Sequence, residues 1–262
     1  MATLRFQLEG EPHGITVDAF VGAVTDWFKV LTDIDTAISG QSGGSLQWVV
    51  ANLATGSLVL DAESRSKLPD RNYDTEVVRA AIAGLRRLEQ EGLTPPYLSP
   101  KGIRSARQLL KLIGTQGIEG IRISNHTDSV ELTAKAATSV SELLPVRYSL
   151  VGSVEGRLEG ISIHEKEPRC IVYRDSTNQA VTCLFRRDML NEVKEGLGRR
   201  VVVIGVVDMN GRHEPVTVHL DRLRILGSEE ELPGIGDIGG SDPNFTGGME
   251  SSAYVRSMRD GH

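Results

Sequence analysis

Between Arg147 and Leu226 the chain alternates so regularly that few folds remain open to it. Tyr148, Leu150, Gly152, Val154, Gly156 and Leu158 take every second position, and Ser149, Ser153, Glu155, Arg157 and Glu159 mostly fill the others. A period of two is that of a strand with one face buried. At Gly160 the phase flips, and Ile161 and Ile163 carry the apolar set. A glycine at such a break predicts a bulge or a sharp bend. Cys170 to Tyr173 and Ala180 to Phe185 then read as the arms of a hairpin, joined by the turn-rich Asp175–Gln179. Asp188 is placed to cap a short helix with Met189, Val193 and Leu197 facing inward, and Gly198 to stop it. Val201–Ile204 reads as a buried strand and Asn210-Gly211 as a turn. Val216, Val218 and Leu220, with Leu223 and Ile225, form the last strand.

The order is therefore strand, strand, strand, short helix, strand, strand. It resembles the OB-fold superfamily of small closed Greek-key barrels, which includes anticodon-binding and single-strand-binding barrels. The resemblance implies a five-stranded OB-like barrel over residues 145–227, a mount with a binding face and no chemistry of its own. Another five- or six-stranded β-barrel satisfies the same pattern.

The preceding residues, 1–144, predict a separate α+β domain. Leu4, Phe6 and Leu8 alternate as a first strand. Thr16 is placed to cap a long helix, in which Val17, Phe20, Val21, Val24, Trp27, Phe28, Leu31, Ile34 and Ile38 recur at three and four residues. Leu46–Val50 and Ser57–Leu60 read as a hairpin around residues 52–56. A second helix covers Asp74 to Gln90, and Ser99-Pro100 starts a third, with Pro at the first helical position. Two strands follow, near Ile118 to Ser124 and Ser129 to Ala137. The predicted order is β-α-β-β-α-α-β-β. Its aromatic residues sit at helical spacing, which marks core, so packing or dimerisation is the expected role.

Composition narrows the chemistry. No apolar run is long enough to span a bilayer, and the N-terminus lacks a basic region followed by an apolar core, so a cytoplasmic protein is expected. The two cysteines, Cys170 and Cys183, fall on opposite hairpin arms and are expected to be buried thiols. None of the six histidines (His13, His126, His164, His213, His219 and His262) has a second ligand at metal-site spacing. No serine nucleophile elbow and no phosphate loop ending in Gly-Lys-Ser/Thr occurs. The expectation is a protein with no catalytic residues, metal or cofactor.

Net charge is −6, but Arg147 to Gly227 carries 13 Lys/Arg against 11 Asp/Glu. That weak excess falls short of the usual nucleic-acid footprint. Single-strand binding on the barrel needs aromatic platforms beside cations. The candidates are Tyr148, Tyr173 and Phe185 with Arg157, Arg174, Arg186 and Arg187.

After Leu226 the composition changes. Ser228 to His262 holds seven glycines and two prolines in 35 residues, which predicts a flexible tail. Gly234, Gly236 and Gly239 match G-x-G-x-x-G. The dinucleotide fingerprint needs a strand before it and a helix after it. Here Leu232-Pro233 precedes and Ser241-Asp242-Pro243 follows, so a linker is the better reading. At the end Met249, Tyr254, Val255 and Met258 gather apolar weight. Ser251-Ser252 is placed to cap a short helix bearing Arg256 and Arg259. A flexible lead and a short amphipathic helix form a recognition element that orders on its partner, and arginine suits an acidic pocket.

The ending from Gly248 to Gly261 resembles the tails of bacterial antitoxins that neutralise PIN-domain ribonucleases. The resemblance implies that Arg256 and Arg259 enter an acidic, metal-binding active site, with Tyr254, Val255 and Met258 as anchors. Such antitoxins are usually short and carry a small DNA-binding N-terminal domain, and no pattern of that kind is legible in this sequence. The expectation is a non-catalytic regulatory protein that captures a nuclease-like partner by its tail. A single-stranded nucleic-acid-binding barrel is the alternative.

Overall fold

The computed structural model describes residues 2–10, 14–54, 58–163, 167–227 and 246–259. Its first half begins with β1 (Thr3–Gly10), α1 (Val17–Ser39), β2 (Leu46–Ala54), β3 (Val59–Ser66), α2 (Asp74–Glu91) and α3 (Pro100–Leu110). It continues with β4 (Ile118–Ser124), β5 (Ser129–Leu132) and α4 (Ala134–Leu143). The five strands form one sheet in the order β2-β3-β1-β4-β5. Leu4, Phe6 and Leu8 point to the helices, while Arg5 stays exposed and pairs with Asp61 on the opposite face.

The caps fall where the local chemistry puts them. The Thr16 hydroxyl accepts from the Ala19 N–H, and the Ser99 hydroxyl accepts from the Gly102 N–H with Pro100 behind it. Gly40, in the left-handed region at φ 68°, closes α1. Trp27 is wholly buried and stacks on Phe6 at 6.0 Å. Asp35 at the end of α1 is buried too. Its carboxylate accepts from the Ser45 hydroxyl at 2.7 Å and the Leu46 N–H at 2.8 Å, tying the helix to the start of β2.

The second half is a closed ring of five strands: β6 (Tyr148–Ser162), β7 (Arg169–Arg174), β8 (Ala180–Leu184), β9 (Arg200–Met209) and β10 (Pro215–Ile225), adjacent in the order β10-β8-β7-β6-β9. Antiparallel β9–β10 and parallel β8–β10 pairing complete the circuit. The phase break at Gly160 is a bulge: Leu158 pairs with Val172 and Gly160 with Ile171, leaving Glu159 as the extra residue. Cys170 and Cys183 are register partners, both buried as free thiols.

Several expectations need correction. The strand predicted to Ala137 ends at Leu132, and α4 begins at Ala134 because the Thr133 hydroxyl caps it by accepting from the Lys135 N–H. Asp188 caps nothing: it lies inside a 3-10 turn, Arg187–Met189, that leads into α5 (Leu190–Glu195) without a side-chain cap. Met189 and Val193 are buried as predicted, but Leu197 lies beyond α5 and half-exposed, because the helix ends too early to carry it inward. The arms β2 and β3 also run several residues longer than the predicted hairpin.

Helix-sheet layer and ring have separate apolar cores, one around Trp27 and Leu31, the other around Leu158, Val172 and Val203. Met1–Leu226 nevertheless forms one compact unit. Polar ties join the halves. Thr94 donates to Glu214 from its N–H and its hydroxyl, the latter at 2.7 Å. The Tyr97 N–H donates to the Asn178 carbonyl at 2.8 Å, with Tyr97 at a left-handed φ of 63°. An aromatic residue there is strained, and the contact with the β7–β8 turn holds it in place. Among the described residues no helix is long and apolar enough to cross a membrane.

Candidate functional site

Two places gather the residue types that bind partners. The first is a groove of about 840 Å³ between layer and ring. The end of α1 (Thr36, Ser39 and Gly40) forms one wall, with Arg71 and Tyr73 ahead of α2. Arg157, Glu159 and Ile161 of β6 and Ile171 and Tyr173 of β7 form the other. Arg157 and Tyr173 are register partners, so their side chains share one face of the ring, and the bulge adds Glu159 beside them. Arg157 Nε stands 3.9 Å from the Glu159 carboxylate, and Arg71 donates to the Tyr73 hydroxyl at 3.2 Å.

Burial shapes the groove's protonation. It raises the Glu159 carboxyl above its ordinary value, and nearby Arg157 opposes that rise. Burial also pushes the Tyr173 phenol up, with the Asp33 and Glu159 carboxylates adding to the effect. Asp33 is itself raised by burial, which the Ser99 hydroxyl and N–H, both donating to it at 2.7 Å, partly offset. Tyr173 therefore stays a neutral hydrogen-bond donor at neutral pH. The wall can hold a polar ligand, but it offers no nucleophile paired with a base.

The sign of the Glu159 shift is testable. A raised folded-state value means the carboxyl favours folding at acid pH and loses that contribution as pH rises through the folded value. Glu159→Gln should therefore match the wild type in thermal stability near pH 3.5 and exceed it at pH 7. A variant less stable than wild type at pH 7 would refute this account of the groove.

The other nucleic-acid candidates do not join Arg157 and Tyr173. Phe185 is only 5% exposed, packed in the ring's core, and has no free face on which a base could stack; this corrects its expected role. Arg174 hydrogen-bonds the Gln179 side chain across its own hairpin. Arg186 is exposed beside Asp188, and exposed Arg187 starts the 3-10 turn. Tyr148 sits elsewhere on the ring and meets His213 Nδ1 at 2.7 Å. Arg71 and Tyr73 were missed because nothing local in the sequence marks them; only the fold brings them to Tyr173.

The second place is the end of the chain, in a unit of its own, Gly227–His262. The predicted linker, including Gly234, Gly236 and Gly239, lies outside the described residues. Residues 251–259 form α6 (Ser251–Arg259). The helix starts at Ser251 itself: the Glu250 carbonyl accepts from the Ala253 and Tyr254 N–H groups, so Ser251 and Ser252 occupy the first turn and do not precede it. Tyr254, Val255 and Met258 fall within about 100° of arc at helical spacing. Val255 is 60% and Met258 70% exposed, and no residue of α6 is buried. Met249, just ahead of the helix, is exposed as well. Arg256 and Arg259 occupy the last turn, where the helix dipole favours cations, and Arg259 flanks Val255.

Among the described residues no cluster of three or more His, Cys, Asp or Glu side chains is placed to hold a metal ion. No family model matches the sequence, and no curated protein sequence matches it. Among solved structures, the chain is similar to the OBody AM3L15 in its complex with hen egg-white lysozyme. The identity is 15%, over 36% of this chain and 90% of that chain, with a TM-score of 0.24.

Proposed function

We propose that this is a non-catalytic binding protein that captures a protein partner with α6, and that the partner presents an acidic pocket of the kind found in metal-dependent ribonucleases. The observation that carries this reading is an amphipathic helix on whose apolar face Val255 and Met258 are exposed, with two arginines in its last turn. A helix docking in a groove uses anchors at this spacing. Arginine pairs bidentately with carboxylates, which a metal-binding active site supplies. The resemblance to antitoxin tails points the same way. The ring, read as an OB-like barrel, serves as the rigid mount from which the tail extends.

Deleting residues 248–262 is the decisive experiment. The truncated protein should fold with unchanged thermal stability and fail to pull down or inhibit a PIN-type ribonuclease that the full chain captures. Equal capture by both forms would refute the reading.

Single-strand nucleic-acid binding is a second reading, favoured by the shared placement of Arg157, Tyr173, Arg71 and Tyr73 in one groove. Stacking platforms beside cations suit unpaired bases. Titration with labelled single strands at low and moderate salt separates the two readings, because this mode predicts affinity that falls steeply with salt.

A further inference from the structure

The chain has two cysteines, and the ring brings them together. Cys170 of β7 and Cys183 of β8 are register partners in an antiparallel pair, and both are wholly buried in the ring's core. The ladder fixes which kind of pair they form. At one end the Phe185 N–H donates to the Pro168 carbonyl at 3.0 Å, and at the other the Arg174 N–H donates to the Gln179 carbonyl at 3.0 Å. Hydrogen-bonded pairs recur at every second position of such a ladder. Counting inward by twos from either end reaches Cys170 and Cys183, so theirs is a hydrogen-bonded pair.

Partners of that kind hold their Cα atoms about 5.5 Å apart, inside the range that a disulfide spans. Their Cβ atoms stand about 4.5–5.5 Å apart in a regular ladder, whereas a disulfide draws them to about 3.8 Å. A bond between these sulfurs can therefore form with the strands still paired, but it pulls them out of their regular pleat. Such strain makes a disulfide easier to reduce, which is the property of labile, regulatory bonds. The side chains already meet. The Cys183 thiol hydrogen-bonds the Cys170 sulfur, and that contact, followed by burial, pushes the Cys183 thiol up.

We infer that Cys170 and Cys183 are a redox site that peroxide oxidises to a reversible cross-strand disulfide. One sulfur first attacks the peroxide: the O–O bond breaks, a sulfenic acid forms and one water leaves. The other sulfur then displaces the sulfenic oxygen: the S–S bond forms and a second water leaves. The two thiol protons depart in those waters, and two electrons pass from sulfur to peroxide. Because both thiols are buried, the reaction waits on local opening of β7 and β8, and an oxidant close to water in size needs the smallest opening. The new bond staples β8 to β7, whose Ile171 and Tyr173 line the groove. This inference is independent of the tail.

Native protein exposed to hydrogen peroxide, then alkylated in denaturant and weighed, tests it. Untreated protein should carry two alkyl groups. Treated protein should carry none, weigh two hydrogens less than the reduced chain, and yield a peptide joining residues 170 and 183. Its circular dichroism spectrum should be unchanged, and excess 2-mercaptoethanol should restore both alkylation sites. Cys170→Ala isolates the intermediate: peroxide should leave a sulfenic acid on Cys183 that dimedone captures, with no linked peptide. Wild type that still takes two alkyl groups after treatment, or gains oxygen on its cysteines without linkage, would overturn the proposal. So would a linkage formed only in denaturant, or one that persists in excess 2-mercaptoethanol.

Discussion

Replacing Gly205 with valine is expected to unfold the ring. Gly205 lies in the inward-facing row of β9, between buried Val203 and Val207. A Cβ there would stand 1.9 Å from the carbonyl oxygen of His219 in β10 and 3.0 Å from the carbonyl carbon. Both atoms are backbone in a closed circuit, so neither can move aside without opening the β9–β10 seam. Overpacking of this kind costs about 3 kcal/mol or more, a large share of a domain's net stability. Alanine should suffice to produce most of the loss. Gly160→Ala is the control: its Cβ would meet only the Ile171 Cβ, at 4.0 Å, so its effect should stay below about 1 kcal/mol. Urea unfolding followed by circular dichroism measures both variants. The only tryptophans, Trp27 and Trp48, lie in the helix-sheet layer. Their fluorescence therefore reports whether the layer unfolds with the ring. Equal stability of the Gly205 and Gly160 alanine variants would show that the seam tolerates a side chain, against this account.

Placing aspartate at both Val255 and Met258 should abolish partner capture while leaving stability untouched. Neither residue is buried in α6, so no core contact is lost. At a docked interface the same residues are the anchors, and truncating a central anchor typically costs 2 kcal/mol or more. Two anchors together, with negative charge brought toward an acidic pocket, should weaken binding at least about a thousandfold. Arg256→Lys is the instructive companion. It keeps the charge but removes the planar fork, so it should weaken inhibition of a nuclease more than it changes the rate of association. Titration calorimetry against the captured partner reads both effects. Affinity unchanged by the double aspartate variant would exclude α6 as the contact.

Most of the elements were legible because they rest on local signals. Thr16 and Ser99 cap their helices by their own hydroxyls, and the Ser99-Pro100 start needs no tertiary contact. The flip of phase at Gly160 located the bulge, since a change of face must accompany an extra residue. Errors came where neighbours override local pattern. Residues 133–137 carry both strand and helix character, and only the Thr133 cap and the packing of Ala136 and Val140 decide for α4. Asp188 has the chemistry of a cap, but the chain enters α5 through a 3-10 turn, which leaves its carboxylate on the surface. Phe185 looked like a stacking platform because aromatic side chains read alike in sequence whether they face in or out.

The sequence by itself determined the strands, the main helices, the bulge and the amphipathic end of the chain, because periodicity, caps and glycine placement act over a few residues. Only the tertiary structure decided which surfaces they leave open. It closed the ring by pairing β8 with β10, strands more than 30 residues apart. It set Arg71 and Tyr73 across a groove from Arg157 and Tyr173. Among the described residues it also left the uncharged β2 at the outer edge of its sheet. Those outcomes depend on contacts between distant segments, whose energies no local pattern encodes.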